Sequence, residues 1–264
     1  MEPKDRLIVA FDVSSLAEAE ALADQLKGIV THIKIGSQLF TAAGPSAVKK
    51  MLKRELEVFL DLKFHDIPNT VEGAAREATK MGVHMFNVHC SPGTTMMEAA
   101  VRGARTISLL PDYPLVLGVT VLTSHTYDEL RDERLVRTPR EVFDRHNLGK
   151  EGIDRFEQTE VERLVLARAR RAKTAGLDGV VASVKEVVAI RQALGPDFII
   201  VTPGLRPAGA EKQDQARVDT IENAARNGAD YFVVGRPITQ AADPVAAAKL
   251  AIEEIERGLA ARLD

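Results

Sequence analysis

Val58-Phe59-Leu60-Asp61-Leu62-Lys63, followed directly by Phe64-His65-Asp66, is an apolar run that turns charged at its end. Residues i and i+2 of a strand point to the same face, so Asp61 and Lys63 share one face and Leu62 takes the other. A run this apolar suits a parallel strand covered on both sides. Seven similar runs accompany it: Leu7–Val13, Thr31–Ile35, Met85–His89, Leu115–Val121, Gly179–Ser183, Phe198–Thr202 and Tyr231–Val234. The stretches between them are rich in Ala, Glu, Lys and Arg with apolar residues at helical spacing, as in Leu16–Leu26 and Val161–Ala175. Ala175-Gly176-Leu177-Asp178 and Asn227-Gly228-Ala229-Asp230 each place a glycine where a helix should stop before a strand. Eight βα units predict an α/β fold, a closed (βα)₈ TIM barrel forming one domain over residues 1–264. A doubly wound sheet is the alternative, but neither G-x-G-x-x-G nor G-x-x-x-x-G-K-[ST] occurs. The rhythm breaks once, at about 125–160. The polar, charged stretch there reads as a long connection with an extra helix, or else as an active-site lid.

A chain of 264 residues is long enough to bury a large core. Its net charge of -3 lacks the basic footprint of a nucleic-acid or anionic-membrane binder, though a few local cations would suffice for a phosphorylated small ligand. The lone cysteine, Cys90, cannot form an intrachain disulfide and reads as a buried thiol rather than a nucleophile. Met1-Glu2-Pro3-Lys4-Asp5-Arg6 has no signal-peptide layout, and no apolar run is long enough to span a bilayer. The expectation is a cytoplasmic protein that contacts neither nucleic acid nor membrane.

Barrels of this kind place their chemistry at the C-terminal ends of the strands. Asp12, Lys34, Asp61, Lys63, Asn87, His89, Thr123 and the pair Gly235-Arg236 all fall there. Buried charges are costly alone, so several of both signs together point to an organised site. Asp66 lies past the third strand, where it can turn back toward Lys63 or project out of the subunit. A lysine between carboxylates acts as a cation and proton donor, which argues against Schiff-base chemistry. A phosphate site reads separately from the loops after strands seven and eight, Thr202-Pro203-Gly204-Leu205-Arg206-Pro207 and Gly235-Arg236-Pro237, where glycine admits an anion and arginine offers a donor fork. A metal site has little support: there is no H-E-x-x-H, and the six histidines are scattered. His89, near the barrel mouth, reads as a hydrogen-bonded structural residue, and His65 as a packed or solvent-facing loop residue.

Several of these stretches together resemble the orotidine 5′-phosphate decarboxylase family, whose reaction yields uridine monophosphate in pyrimidine biosynthesis. They are Ala10-Phe11-Asp12, Ile33-Lys34-Ile35-Gly36, Phe59 through Thr70, Leu122-Thr123-Ser124, Thr202 through Pro207, Asp214-Gln215-Ala216-Arg217 and Val234 through Pro237. The resemblance implies a cofactor-independent decarboxylase. Lys63 would protonate C6 of the pyrimidine, while Asp61 would lie beside the substrate carboxylate and hold Lys63. It implies Asp12 and Lys34 on the ribose side, Thr123 or Ser124 with Pro203 at the ring, and Arg206, Gln215, Gly235 and Arg236 on the phosphate. It also implies a homodimer in which Asp66 and Thr70 complete the partner's active site. The region Arg131–Glu157 departs from the family pattern. Magnesium-dependent sugar-phosphate lyases and decarboxylases on the same barrel share D-x-K-x-x-D, but they carry an acidic residue near the end of strand two, where this chain has Lys34.

Overall fold

A computed structural model of the chain describes residues 1–106, 113–139, 149–206 and 219–262. The barrel strands are β1 (Leu7–Ala10), β2 (His32–Gly36), β3 (Glu57–Phe64), β4 (Met85–His89), β5 (Leu115–Val119), β6 (Gly179–Val181) and β7 (Ile199–Thr202). Two short strands, β8 (Leu205–Arg206) and β9 (Asp219–Thr220), precede the last barrel strand, β10 (Tyr231–Val234). The barrel closes in the order β1-β10-β7-β6-β5-β4-β3-β2, with every pairing parallel. All eight strand runs expected from the sequence are therefore present. Three C-terminal ends are shorter than expected: β1 stops at Ala10, β5 at Val119 and β6 at Val181, so Asp12 and Thr123 sit in loops just beyond. The β8–β9 pair was not foreseen, because two-residue strands carry no readable periodicity. It makes Arg206 a buried strand residue rather than a loop residue.

Side-chain alternation divides each strand between two cores. Leu7, Val9, Ile33, Ile35, Val58, Leu60, Phe86 and Val88 pack outward against the helices, whereas Ile8, Ala10, Phe59, Met85, Leu117, Val201, Tyr231 and Val233 fill the barrel. Both faces are apolar, which explains runs without a polar alternation. The inward set that contains Phe59 and Met85 continues upward as Asp61 and Asn87, and Lys34 lies between outward-facing Ile33 and Ile35. A single parity thus sends the polar residues to the upper end of the interior.

The helix-stop glycines behave as the sequence implies. Gly176 and Gly228 have φ of +83° and +106°, a region open to glycine at little cost. The aspartates two residues later tie adjacent strands. Asp178 accepts a hydrogen bond from the Val116 amide at 2.8 Å, and Asp230 accepts one from the Ile200 amide at 2.8 Å. Elsewhere, a Cβ added at Gly103 would lie 2.3 Å from the Glu72 carbonyl oxygen. Helix Thr94–Arg105 therefore presses closely on helix Pro68–Lys80, fixing the corner that follows β3.

The long connection contains a helix at Tyr127–Asp132 and a 25-residue helix at Lys150–Thr174. Residues 140–148 within it lie outside the described residues. Glu160 anchors this region: its buried carboxylate takes hydrogen bonds from Arg137 and Arg163, and these hold its pKa at about 2. Cys90 is buried, and burial pushes its thiol up to about 12, as befits a packing residue. Among the described residues no helix is long and apolar enough to cross a membrane.

The lower end of the barrel holds His32, whose ring meets His84 at 4.9 Å and Tyr231 at 5.8 Å. Burial, reinforced by His84 and opposed by Asp5, lowers its pKa from 6.5 to about 4. The folded state thus binds fewer protons here than the unfolded chain, and stability falls as pH drops from 6.5 toward 4. The loss assigned to His32 over that window is roughly 2–3 kcal/mol. Urea unfolding of His32→Gln should show a shallower acid decline than wild type between those pH values. Parallel curves would refute the assignment.

Candidate active site

The upper end of β3 is irregular. Pairing with β4 runs Leu60 to Phe86 and resumes only at Phe64 to Val88, so the segment between them bulges. Lys63 within it has φ +51°, left-handed backbone that costs a non-glycine residue on the order of 1–3 kcal/mol. Asp61 and Lys63 do meet, as simple alternation suggests, but through this bulge rather than along a regular strand. The Lys63 Nζ lies 2.6 Å from Asp61 Oδ1.

Neighbouring elements extend the contact into a row of alternating charge. Lys34 Nζ, from β2, is 3.4 Å from Asp61 Oδ2 and 2.8 Å from Asp12 Oδ1. The order is Asp12, Lys34, Asp61, Lys63. Asp61 and Lys34 are buried, Lys63 is half-buried and Asp12 is exposed. Burial pushes the Asp61 carboxyl upward, but Lys34, Lys63 and a hydrogen bond from Asn87 outweigh it and hold the group below the ordinary aspartate value. It is therefore a carboxylate at neutral pH.

Asn87 is 1% exposed and bridges a side-chain carboxylate and a backbone amide of this site. Its Nδ2 donates to Asp61 Oδ1 at 2.7 Å, and its Oδ1 accepts from the Lys63 amide at 2.8 Å. The sequence places Asn87 at a strand end but gives it no role. The available signal was a polar residue at an inward position of an otherwise apolar strand. His89, on the same face, meets the His65 ring in a tilted contact at 5.2 Å, and burial with nearby His65, Lys63 and Arg168 lowers its pKa to about 4. Its imidazole is neutral at physiological pH.

Two hollows meet at this row. One, of about 450 Å³, is polar; Asp12, Lys34, Gln38, Arg206, Gly235 and Arg236 line it. The other, of about 130 Å³, is largely apolar, with Val119, Val121, Thr123, Val181 and Ala182 along its wall and Lys63 at its edge. Lys34, Asp61, Pro203 and Val233 border both.

Asp12, Lys34, Asp61, Lys63, Thr123, Pro203, Arg206, Gly235 and Arg236 therefore converge, as the sequence leads one to expect. Ser124 does not: it is exposed and lines neither hollow. Asp66 and Thr70 are exposed and stand apart, with the Asp66 carboxylate accepting from the Ile67 amide at 2.6 Å. Of the two positions open to Asp66, the outward one is adopted. Helix Pro68–Lys80 begins two residues after Asp66, since Pro68 can open a helix without a missing donor. Gln215 lies outside the described residues. Among the described residues no cluster of three or more His, Cys, Asp or Glu could hold a metal ion.

A closed parallel barrel with alternating ammoniums and carboxylates above its core, beside an arginine-lined hollow, defines a barrel enzyme for a small anionic ligand. The family model described as Orotidine 5′-phosphate decarboxylase / HUMPS family matches residues 5–251, and the chain belongs to that family. It is 48% identical over 258 residues to an orotidine 5′-phosphate decarboxylase of Moorella thermoacetica, covering 97% of this chain and 94% of the relative. It is 44% identical over 258 residues to one from Trichlorobacter lovleyi, covering 98% of each. The crystal structure of orotidine 5′-phosphate decarboxylase from Lactobacillus acidophilus superposes with a TM-score of 0.77 at 34% identity, covering 95% of this chain and 99% of that one.

Gly36 gives a test of how closely the row is fitted. A Cβ there would lie 2.9 Å from Asp12 Oδ1 and 3.1 Å from Lys34 Nζ. Both are ends of side chains that can shift, so Gly36→Ala should fold normally but displace the pair. Since small misplacements in such sites are costly, kcat/KM should fall about tenfold or more. Steady-state kinetics beside a melting curve checks this, and unaltered kinetics would show that the pair tolerates displacement.

Proposed function

We propose that the chain decarboxylates orotidine 5′-phosphate to uridine 5′-phosphate and carbon dioxide, a step of de novo pyrimidine biosynthesis, with no cofactor. The observation that carries this reading is the Lys63 ammonium, held 2.6 Å from a buried carboxylate at the edge of a small apolar hollow. The full-length likeness to relatives of that name supports it.

The reaction breaks the bond between C6 and the carboxylate carbon. The electron pair stays on C6, which has no adjacent electron sink, and carbon dioxide departs. A fixed ammonium stabilises that charge as it develops and then delivers its proton to C6. Lys63 takes this role. Asp61 holds Lys63 and stands beside the departing carboxylate, where its charge also disfavours the bound ground state. The pyrimidine occupies the apolar hollow against Thr123 and Pro203, with Asp12 and Lys34 toward the ribose. Arg206, Gly235 and Arg236, together with Gln215, take the phosphate. Binding energy from that remote group positions C6 against Lys63.

The proposal extends to a homodimer with shared active sites and a cytoplasmic setting. Asp66 and Thr70 are too exposed to serve the hollows of their own subunit, and Ile67 beside them is 66% exposed, which suits a corner reaching into a partner. The magnesium-dependent rival is disfavoured because Lys34 fills the strand-two position with a cation already paired to Asp12 and Asp61.

The direct test is the ultraviolet change of orotidine 5′-phosphate on adding enzyme in excess chelator. Wild type should be fully active, and loss of activity would favour the rival. Under the same conditions Lys63→Ala should lose on the order of 10⁴-fold or more in kcat while keeping its melting temperature. Substantial residual turnover would remove Lys63 as proton donor. If sites are shared, mixing inactive Asp66→Asn with inactive Lys63→Ala should restore part of the activity, because some hybrids then hold one intact site. Absence of recovery after verified subunit exchange would contradict that geometry.

A further inference from the structure

We infer that Asn87 is a positioning residue of the reaction: its side-chain amide sets the Asp61 carboxylate and the bulged backbone of Lys63 relative to one another. This rests on the functional reading above and deepens it. Between the pairs Leu60–Phe86 and Phe64–Val88, β3 passes through Asp61, Leu62 and Lys63 while β4 contributes Asn87 alone. The β3–β4 ladder is interrupted there, and the Asn87 side chain takes up the Lys63 amide. Its two ends are not interchangeable. The Lys63 amide needs an acceptor and the Asp61 carboxylate needs a donor, and one side-chain amide supplies both.

The consequence is geometric. Asp61 Oδ1 receives Asn87 Nδ2 at 2.7 Å and Lys63 Nζ at 2.6 Å. The lysine is thus fixed twice, through its own amide and through the carboxylate its ammonium meets. Without Asn87, the Lys63 amide loses this acceptor in a segment whose backbone is left-handed at φ +51°. The carboxylate would also face fewer donors. Asp61 is surrounded by Lys63 on its own strand, Lys34 from β2 with Asp12 behind it, and Asn87 from β4, and its charge also acts on His89. Asn87 is the neutral member of this set. Its loss removes a donor to the carboxylate without changing the site's formal charge.

The experiment uses the full chain with Asn87→Ala and Asn87→Asp. It reads kcat with orotidine 5′-phosphate, affinity for uridine 5′-phosphate, and the titration of the Asp61 carboxyl by carbon-13 NMR, with the signal assigned through Asp61→Asn. For Asn87→Ala we expect kcat to fall about 100-fold, as misplacement of a reacting group allows, while uridine 5′-phosphate affinity stays within about threefold. The Asp61 titration should move to higher pH, and further in Asn87→Asp, where a second carboxylate faces the first. If the alanine chain fails to fold, Asn87→Asp keeps the shape and carries the same readouts. A kcat close to wild type would overturn the inference. So would a parallel fall of kcat and affinity with an unmoved Asp61 titration, which marks packing alone. A wild-type chain without turnover would count against the functional reading, and the Asp61 titration would still decide the role of Asn87.

Discussion

The upper end of the barrel is organised around one buried negative charge. Asp61 stands above an apolar interior, where an unpaired carboxylate would be protonated or would destabilise the fold. Lys34, Lys63 and Asn87 each approach it within hydrogen-bonding or ion-pair distance. Satisfying that charge draws two ammoniums together from different strands, although like charges repel. Asp12 then balances the outer lysine. The row is thus an electrostatic solution in which each member requires the next, and removing an interior member would leave its neighbour uncompensated.

The barrel supplies this row through strand parity. The alternation that fills the interior with Ile8, Phe59 and Met85 delivers Asp61 and Asn87 above them. Packing and chemistry therefore share one register, and a slip of one residue in β3 would send Asp61 out toward the helices and disturb the core at the same time. His32 occupies the opposite end of the same inner face. Its depressed pKa reflects burial in a structural cluster rather than a reacting group, in keeping with the division of this architecture into a stability end and a catalytic end.

The elements most legible in the sequence were those set by periodicity. Eight apolar runs, separated by helical spacing and closed by Gly176 and Gly228, define the barrel because each run is long enough to show its pattern. The charged strand ends were legible for the same reason. Features that depend on tertiary geometry were not. The β8–β9 pair leaves too short a trace, and the left-handed backbone at Lys63 contradicts the preference of lysine itself. Asn87 could be placed on a strand, but its two hydrogen bonds depend on a bulge in the neighbouring strand. Thr123 and Ser124 could not be separated by sequence, since which of two adjacent loop residues turns inward is decided by the path of the chain after β5.

The backbone at Lys63 also bears on how this position can change. A glycine there would accept φ +51° without strain, but it would withdraw the ammonium that meets the buried Asp61 carboxylate. Relief of backbone strain and loss of an ion pair thus oppose each other at position 63. Under the proposed role of Lys63 the ammonium is also needed for turnover, so a thermostabilised descendant of the chain would have to gain its stability elsewhere.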